Sequence, residues 1–271
     1  MSFKEESTIR NGALEEKVAL IEERLAFLER ENRLLRKAKD VHEIQNVMSL
    51  HEYYHSACKH QEELDAIWAQ EADDVAFEEA LFQARFVGLE AIGTYYVQFM
   101  RNTLFKGALE LTRTLFPQLK DDPEDELAFG LSYMHTLTTP VIEVAEDGNT
   151  AKGVWISPGF ITMPTPEKLQ AYWHWDRYGV DFIRENGKWK IWHFFVGREF
   201  TTPYEKSWVD SALDDEEAYA MPLGLFRQWP GFKEPHAAQL NPFESYSPFK
   251  VATLKPRLPE PYRTFSETFS Y

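Results

Sequence analysis

The sequence predicts an α+β protein: helices first, then a long-stranded antiparallel meander, with a coiled-coil helix in front and a proline- and aromatic-rich wrap behind. Three observations predict it. Apolar residues recur at alternating spacings of four and three near the start, the apolar period becomes that of strands from Leu127 onward, and two turn signals join neighbouring strands into hairpins.

Composition sets the outer limits. The 271 residues are 44% hydrophobic and 15% aromatic, enough to bury a large core, which excludes a disordered chain. Lys and Arg number 29 against 44 Asp and Glu, a formal charge of −15 with no offsetting basic stripe, so no nucleic-acid partner is expected. The single cysteine, Cys58, cannot form an internal disulfide and is expected to be a small buried apolar residue in a reducing compartment. Neither a signal-like apolar run nor a membrane-spanning stretch is present, so the expected location is the cytoplasm, without a membrane partner.

Residues 1–40 form the first element. Leu14, Val18, Ile21, Leu25, Leu28, Asn32 and Leu35 trace an a/d seam with Glu and Arg crowding the flanks, while Leu20, Phe27 and Leu34 make a second stripe. An a-position Asn commonly fixes register against its mate, so a homo-oligomer through this helix is expected; packing on its own domain is the alternative. Residues 41–201 form the central domain. From Val41 to Asp73 the helical pattern runs on without Pro or Gly, as one helix or as two with a bend. Phe77 to Phe116 mixes a short strand-like piece with a helical one, Leu89 to Leu115, and is expected to be mainly helix. Leu127 to Ala145, the turn Glu146 to Asn149 and the run TAKGVWIS make one hairpin; Leu169 to Arg184, the turn Glu185 to Lys188 and WKIWHFFVGREF make another. The second is the firmer of the two, because Asn186-Gly187 suits a two-residue hairpin loop. Residues 202–271 hold 9 of the 15 prolines and 13 aromatics, too apolar for a solvated linker, so an ordered wrap or lid is expected, with Phe226, Trp229 and Phe232 plugging a cavity mouth.

The run HTLTTPVIEVAEDGNTAKGVWIS, followed by RYGVDFIRENGKWKIWHF, resembles the sheet of SnoaL-like proteins in the NTF2-like superfamily, and EIQNVMSLHEYYHSACKHQEELDAIWAQEADD resembles their first helix. The resemblance implies an NTF2-like cone of helices against a curled antiparallel sheet. Between them lies a deep, mostly apolar cavity suited to aromatic or polycyclic small molecules. Dehydratases of this group pair a tyrosine on the first helix with an acid five residues on and a histidine on the first long strand. The matching positions here are Tyr54, Lys59 and His135, and a lysine in place of the acid removes the simplest general base. Asp181 is a carboxylate that could restore the role.

His135, His193 and His174 are the strand histidines, and two of them are expected to share the cavity, although parity alone leaves open which. Expected catalytic residues are therefore Tyr54, Lys59, His135 and His193, with Trp155, Trp173, His174, Tyr178, Asp181 and Phe195 at the substrate. For each, ordinary core or surface packing is the competing reading. His51-Glu52-Tyr53-Tyr54-His55 matches H-E-x-x-H, which puts two imidazoles on one helix face, but no further ligand follows at a zinc-hydrolase spacing; no metal is expected. Neither a nucleophile elbow nor a nucleotide loop occurs, so no cofactor is expected. The resulting expectation is a cofactor-independent lyase releasing water or a one-carbon unit from a hydroxylated aromatic, against an isomerase or a non-catalytic binding module in the same fold.

Overall fold

The computed structural model describes residues 3–119, 127–213 and 241–271, and the chain divides into two compact units, 1–42 and 43–271. Helix α1 (Phe3–Ser56) begins in the first unit and ends in the second. Its residues from Leu14 to Leu35 include nine large apolar side chains, all exposed.

In the second unit α1 stops at Ser56 because Cys58 takes a left-handed conformation, φ 57°, and α2 (His60–Ile67) starts afresh. The pattern expected from Val41 to Asp73 is thus two helices with a sharp break. Cys58 itself is buried. The buried residues of α2 are His60, Glu63, Leu64 and Ile67, spaced three, one and three apart, the inward stripe of an amphipathic helix. A short hairpin follows, β1 (Ala76–Glu79) and β2 (Ala84–Val87). The helical stretch from Leu89 to Leu115 then forms as expected, but in three parts. These are α3 (Leu89–Gly93), a π-helical segment Thr94–Phe105, and α4 (Lys106–Leu115).

The run expected as one strand from Leu127 is broken into β3 (Tyr133–His135) and β4 (Thr138–Val144), with Thr139 left-handed and the register of β4 shifting between Thr138 and Val141. The long strands β5 (Thr150–Pro164), β6 (Leu169–Glu185) and β7 (Lys188–Pro203) make the meander. Asn186 and Gly187 both have positive φ, 51° and 77°, the two left-handed residues that a type I′ loop between β6 and β7 requires. Among the described residues the sheet runs β2-β1-β7-β6-β5-β3, with β4 also on β5; only β1 against β7 is parallel, and the curled sheet does not close. α5 (Trp208–Leu213) follows β7.

Alternation assigns the two faces of this sheet. His174, Asp176 and Tyr178 of β6 point one way, Asp176 and Tyr178 toward the end of α1 and the π-helical segment, together with Phe194 of β7, which packs on Trp68 and Phe77. Gly179 and Asp181 of β6 and His193, Phe195 and Gly197 of β7 point the other way. Residues 241–271 cover that outer face. A Cβ on Gly179 would meet the Tyr271 ring at 2.6 Å and one on Gly197 the Phe243 ring at 2.6 Å, so both glycines let the covering segment lie flat. Phe226, Trp229 and Phe232, expected as plugs, fall outside the described residues.

Candidate active site

The inner face of the sheet, the end of α1 and the π-helical segment enclose a cavity of ≈ 40 Å³. His51 and His55 reach it from α1, Tyr133 and His135 from β3, Asp176 and Tyr178 from β6, Arg198 from β7 and Glu79 from β1. Tyr95, Tyr96, Met100 and Leu104 of the π-helical segment close it. The resemblance implied a deep cavity; aromatic side chains fill most of that space, leaving room for a water or two.

β3 reaches the cavity because β5 carries glycine opposite it. His135 pairs with Gly159, whose missing Cβ would stand 2.3 Å from the carbonyl oxygen of Met134 and 3.2 Å from the Cα of His135. Gly159 also pairs with His174, which stacks edge-on against His135 at 4.5 Å between ring centroids. The acid of the site is Asp176. One of its oxygens accepts from His174 Nε2 at 2.8 Å and lies 3.7 Å from His135 Nδ1; the other accepts from Arg198 Nε. Arg198 in turn approaches Glu79 at 3.8 Å, and Thr201 Oγ1 lies 3.2 Å from His174 Nδ1.

Electrostatics divide these groups into neutral bases, neutral acids and one fixed anion. Burial works against the Asp176 anion, yet Arg198 and His174 more than compensate and hold its carboxyl far below the usual range. His135 is pushed well below the usual imidazole value by burial and by its neighbour His174, with Asp176 opposing, and it is a neutral acceptor at pH 7. His55 is likewise held neutral by burial and by the surrounding imidazoles. Glu52 behaves oppositely: burial of its carboxyl, with neither oxygen well hydrogen-bonded, lifts it to about 8 despite His51. It is protonated at neutral pH and stands beside the Tyr178 hydroxyl, which itself accepts from Ser157 Oγ at 3.3 Å. Tyr178 is raised well above 10 by burial and by Glu52.

Two donor groups have metal-like spacing. The ligand atoms of His55, His60 and Glu63 lie within 4.8 Å of one another, as do those of His135, His174 and Asp176. In the first group His55 Nδ1 and His60 Nε2 lie 3.2 Å apart, and Glu63 is engaged by His51 Nδ1 at 2.7 Å and by Trp68 Nε1 at 3.2 Å. In the second, the Arg198 cation already sits on Asp176, which sets charge against a further cation.

Of the residues expected at the site, His135, His174 and Tyr178 come together there. Trp155 shares their face of the sheet but packs on Phe182, 6.0 Å away, and not at the cavity. Tyr54 is half-buried and does not line the cavity. Lys59 is exposed, begins α2 and approaches Glu62 at 3.9 Å. Trp173 stacks on Tyr204 at the surface. His193, Asp181 and Phe195 belong to the outer face. There Asp181 binds the buried Lys152 at 2.5 Å and His193 Nδ1 at 2.7 Å, accepts from Ser270 Oγ at 3.0 Å, and lies under residues 241–271. Asp176, Arg198, Glu79 and Glu52 were not expected. The signal for Asp176 was its parity, since it shares a strand face with His174 and Tyr178 whereas Asp181 does not. His51 and His55 had been marked only as a metal pattern.

The profile of the SnoaL-like domain matches residues 36–194. None of the curated proteins compared with the chain matches it. Among solved structures, a scytalone dehydratase-like protein of Novosphingobium aromaticivorans is 14% identical, with 63% of this chain and 91% of that one covered and a TM-score of 0.42. Hexachlorocyclohexane dehydrochlorinase LinA type 3 of Novosphingobium barchaimii is 16% identical over 64% of this chain and 95% of that one, TM-score 0.40. An NTF2-like protein with a cystatin-like fold, also from Novosphingobium aromaticivorans, is 16% identical over 62% and 86%, TM-score 0.41.

Proposed function

The chain belongs to the SnoaL-like domain family, and from that premise we propose that it is a cofactor-independent lyase releasing water, or a one-carbon unit such as formaldehyde, from a hydroxylated aromatic or polycyclic substrate. The observation that carries the proposal is the meeting, in one cavity, of the neutral His135 imidazole, the Asp176 carboxylate beside it and the Tyr178 hydroxyl, with the protonated Glu52 carboxyl next to that hydroxyl.

In the dehydration, His135 takes a proton from the carbon next to the leaving hydroxyl, and the C–H electrons form the new double bond as the C–O bond breaks. Tyr178 gives the departing oxygen its proton, so water leaves, and Glu52 behind it restores the phenol. Asp176, 3.7 Å from His135 Nδ1, stabilises the imidazolium while it lasts. A phenol para to the leaving group supplies further electron push through a quinone-methide-like intermediate, which removes the need for an external electron sink. Loss of formaldehyde uses the same groups: the base takes the hydroxymethyl O–H proton, the O–H electrons close the formaldehyde C=O, and the C–C electrons form the new double bond as the C–O bond breaks, so formaldehyde and water leave together.

Tyr54, expected to protonate the leaving hydroxyl together with His135, gives way in this scheme to Tyr178, and His135 takes the part of the base expected of Lys59 or His193. The cavity, at ≈ 40 Å³, admits such a substrate only when its walls move, and the π-helical segment is the wall made of flexible and aromatic side chains. π-helical turns are rare and concentrate at functional sites. The small volume is also what favours the competing reading, a non-catalytic binding module. The two separate in one experiment: incubation with phenolic diols of one and two rings, followed by mass spectrometry for loss of water or formaldehyde. Conversion above the uncatalysed rate supports the lyase. Saturable binding without conversion across the series favours the binding module.

A further inference from the structure

The nine exposed apolar side chains of α1 between Leu14 and Leu35 lie in the unit 1–42, and they are not scattered. Ile21 is 65% exposed and Leu35 70%, values that a helix in water does not sustain over three turns unless something covers it. Heptad assignment puts Val18, Leu25 and Asn32 at a, and Leu14, Ile21, Leu28 and Leu35 at d. The flanks then follow. Lys17, Arg24 and Glu31 fall at g, while Glu22, Glu29 and Arg36 fall at e.

We propose that this face binds a second copy of the same chain as a parallel, in-register, two-stranded coiled coil. In that arrangement a g residue of one helix faces the e residue five positions on in its mate. Lys17 then meets Glu22 of the partner subunit, Arg24 meets Glu29 of the partner subunit, and Glu31 meets Arg36 of the partner subunit. Every pair is attractive, including the last, where both signs are reversed together. That switch of sign in step is what self-recognition leaves in a sequence and what burial against an unrelated surface would not need. Asn32 adds register. Its amide can bond only to an identical amide at the same height, which a parallel in-register pair supplies and an antiparallel or slipped pair does not. Leu20, Phe27 and Leu34 repeat every seven residues on the neighbouring flank, outside the seam, and the Arg30 guanidinium lies 5.5 Å from the Phe27 ring. The seam uses residues 14–35 and the cavity is lined by residues from His51 onward, so the oligomer test does not bear on the lyase reading.

The test uses the full chain. Asn32→Cys places two thiols at the centre of the seam, within the short span a disulfide tolerates, and mild oxidation by oxidised glutathione should link most chains as dimers on a denaturing gel. Glu23→Cys, facing away at position f, should stay monomeric on the same gel. Equal linking in the two variants, or no linking in Asn32→Cys, overturns the proposal. A second pair of variants guards against a local defect. Glu22→Lys with Glu29→Lys in one chain, and Lys17→Glu with Arg24→Glu in another, should each pair weakly with themselves and form mixed dimers when combined. Mixing without exchange contradicts the proposal, as does a coiled-coil mass of three chains, each 31.7 kDa.

Discussion

Replacing Gly159 by alanine tests whether strand contact, and not merely sequence position, brings His135 into the site. The added methyl would lie 2.3 Å from the Met134 carbonyl oxygen, against an ordinary carbon–oxygen approach of about 3.3 Å, so β3 must retreat by about 1 Å. Both backbone neighbours are stiff, and among the described residues β3 pairs only with β5. Over-packing of this size costs about 1–3 kcal/mol, or roughly 2–12 °C in melting temperature for a unit of this length. The catalytic loss should be disproportionate, because a displacement of about 1 Å at a reacting group is worth about 10²-fold in rate. Gly107→Ala is the control: it sits in α4 with open space around it and should be neutral or stabilising by up to about 1 kcal/mol. Thermal unfolding and turnover measured side by side give both numbers. Parental turnover in Gly159→Ala would refute the idea that this contact sets the position of His135.

Glu52 makes stability depend on pH in a direction opposite to an ordinary paired carboxylate. Its folded value of about 8 exceeds the usual 4.5, so the folded chain keeps a proton that the unfolded chain has released; stability should fall as pH rises between these values and level off above. Glu52→Gln should flatten that slope in denaturant titrations at pH 5 and 8, and parallel curves for parent and variant would remove Glu52 from its assigned state. On the outer face, Lys152→Met leaves the Asp181 carboxylate buried without its cation, 2.5 Å from where that cation was. The expected loss is about 3 kcal/mol, with residues 241–271 becoming the first site of protease cleavage; unchanged stability would mean that His193, Ser270 and the Tyr271 amide suffice to hold Asp181.

What the sequence made legible depended on how local the cause was. The Asn186-Gly187 loop was readable because two left-handed residues in succession have few other uses, and the β6–β7 pairing followed from it. The α1–α2 break was not, since Cys58 in a left-handed conformation has no compositional cue. The π-helical segment was read only as helix, because the apolar spacing of Tyr95, Tyr96, Phe99 and Met100 suits either winding. At the site, His135 was found through the family resemblance together with its strand context, whereas Asp181 and His193 were chosen over Asp176 because a carboxylate and an imidazole were sought without first fixing which strand face was inward. Bulges in the β6–β7 pairing after Trp175 and Asp181 make that parity harder to follow from sequence. Lys59, matched by resemblance to a dehydratase acid, caps the start of α2 and is exposed.

The claim that His135 is the base, held by Asp176 and opposed by Tyr178, is tested most directly by the turnover of His135→Gln on whichever phenolic diol the parent converts. Glutamine keeps a hydrogen-bonding side chain of similar reach but cannot accept a proton near neutral pH, so melting should stay within about 1–2 kcal/mol of the parent in stability terms. Turnover should fall by about 10²-fold or more, the usual worth of a positioned base. A rate within a few-fold of the parent, in a variant that folds normally, would contradict the account and leave His135 as a packed core residue.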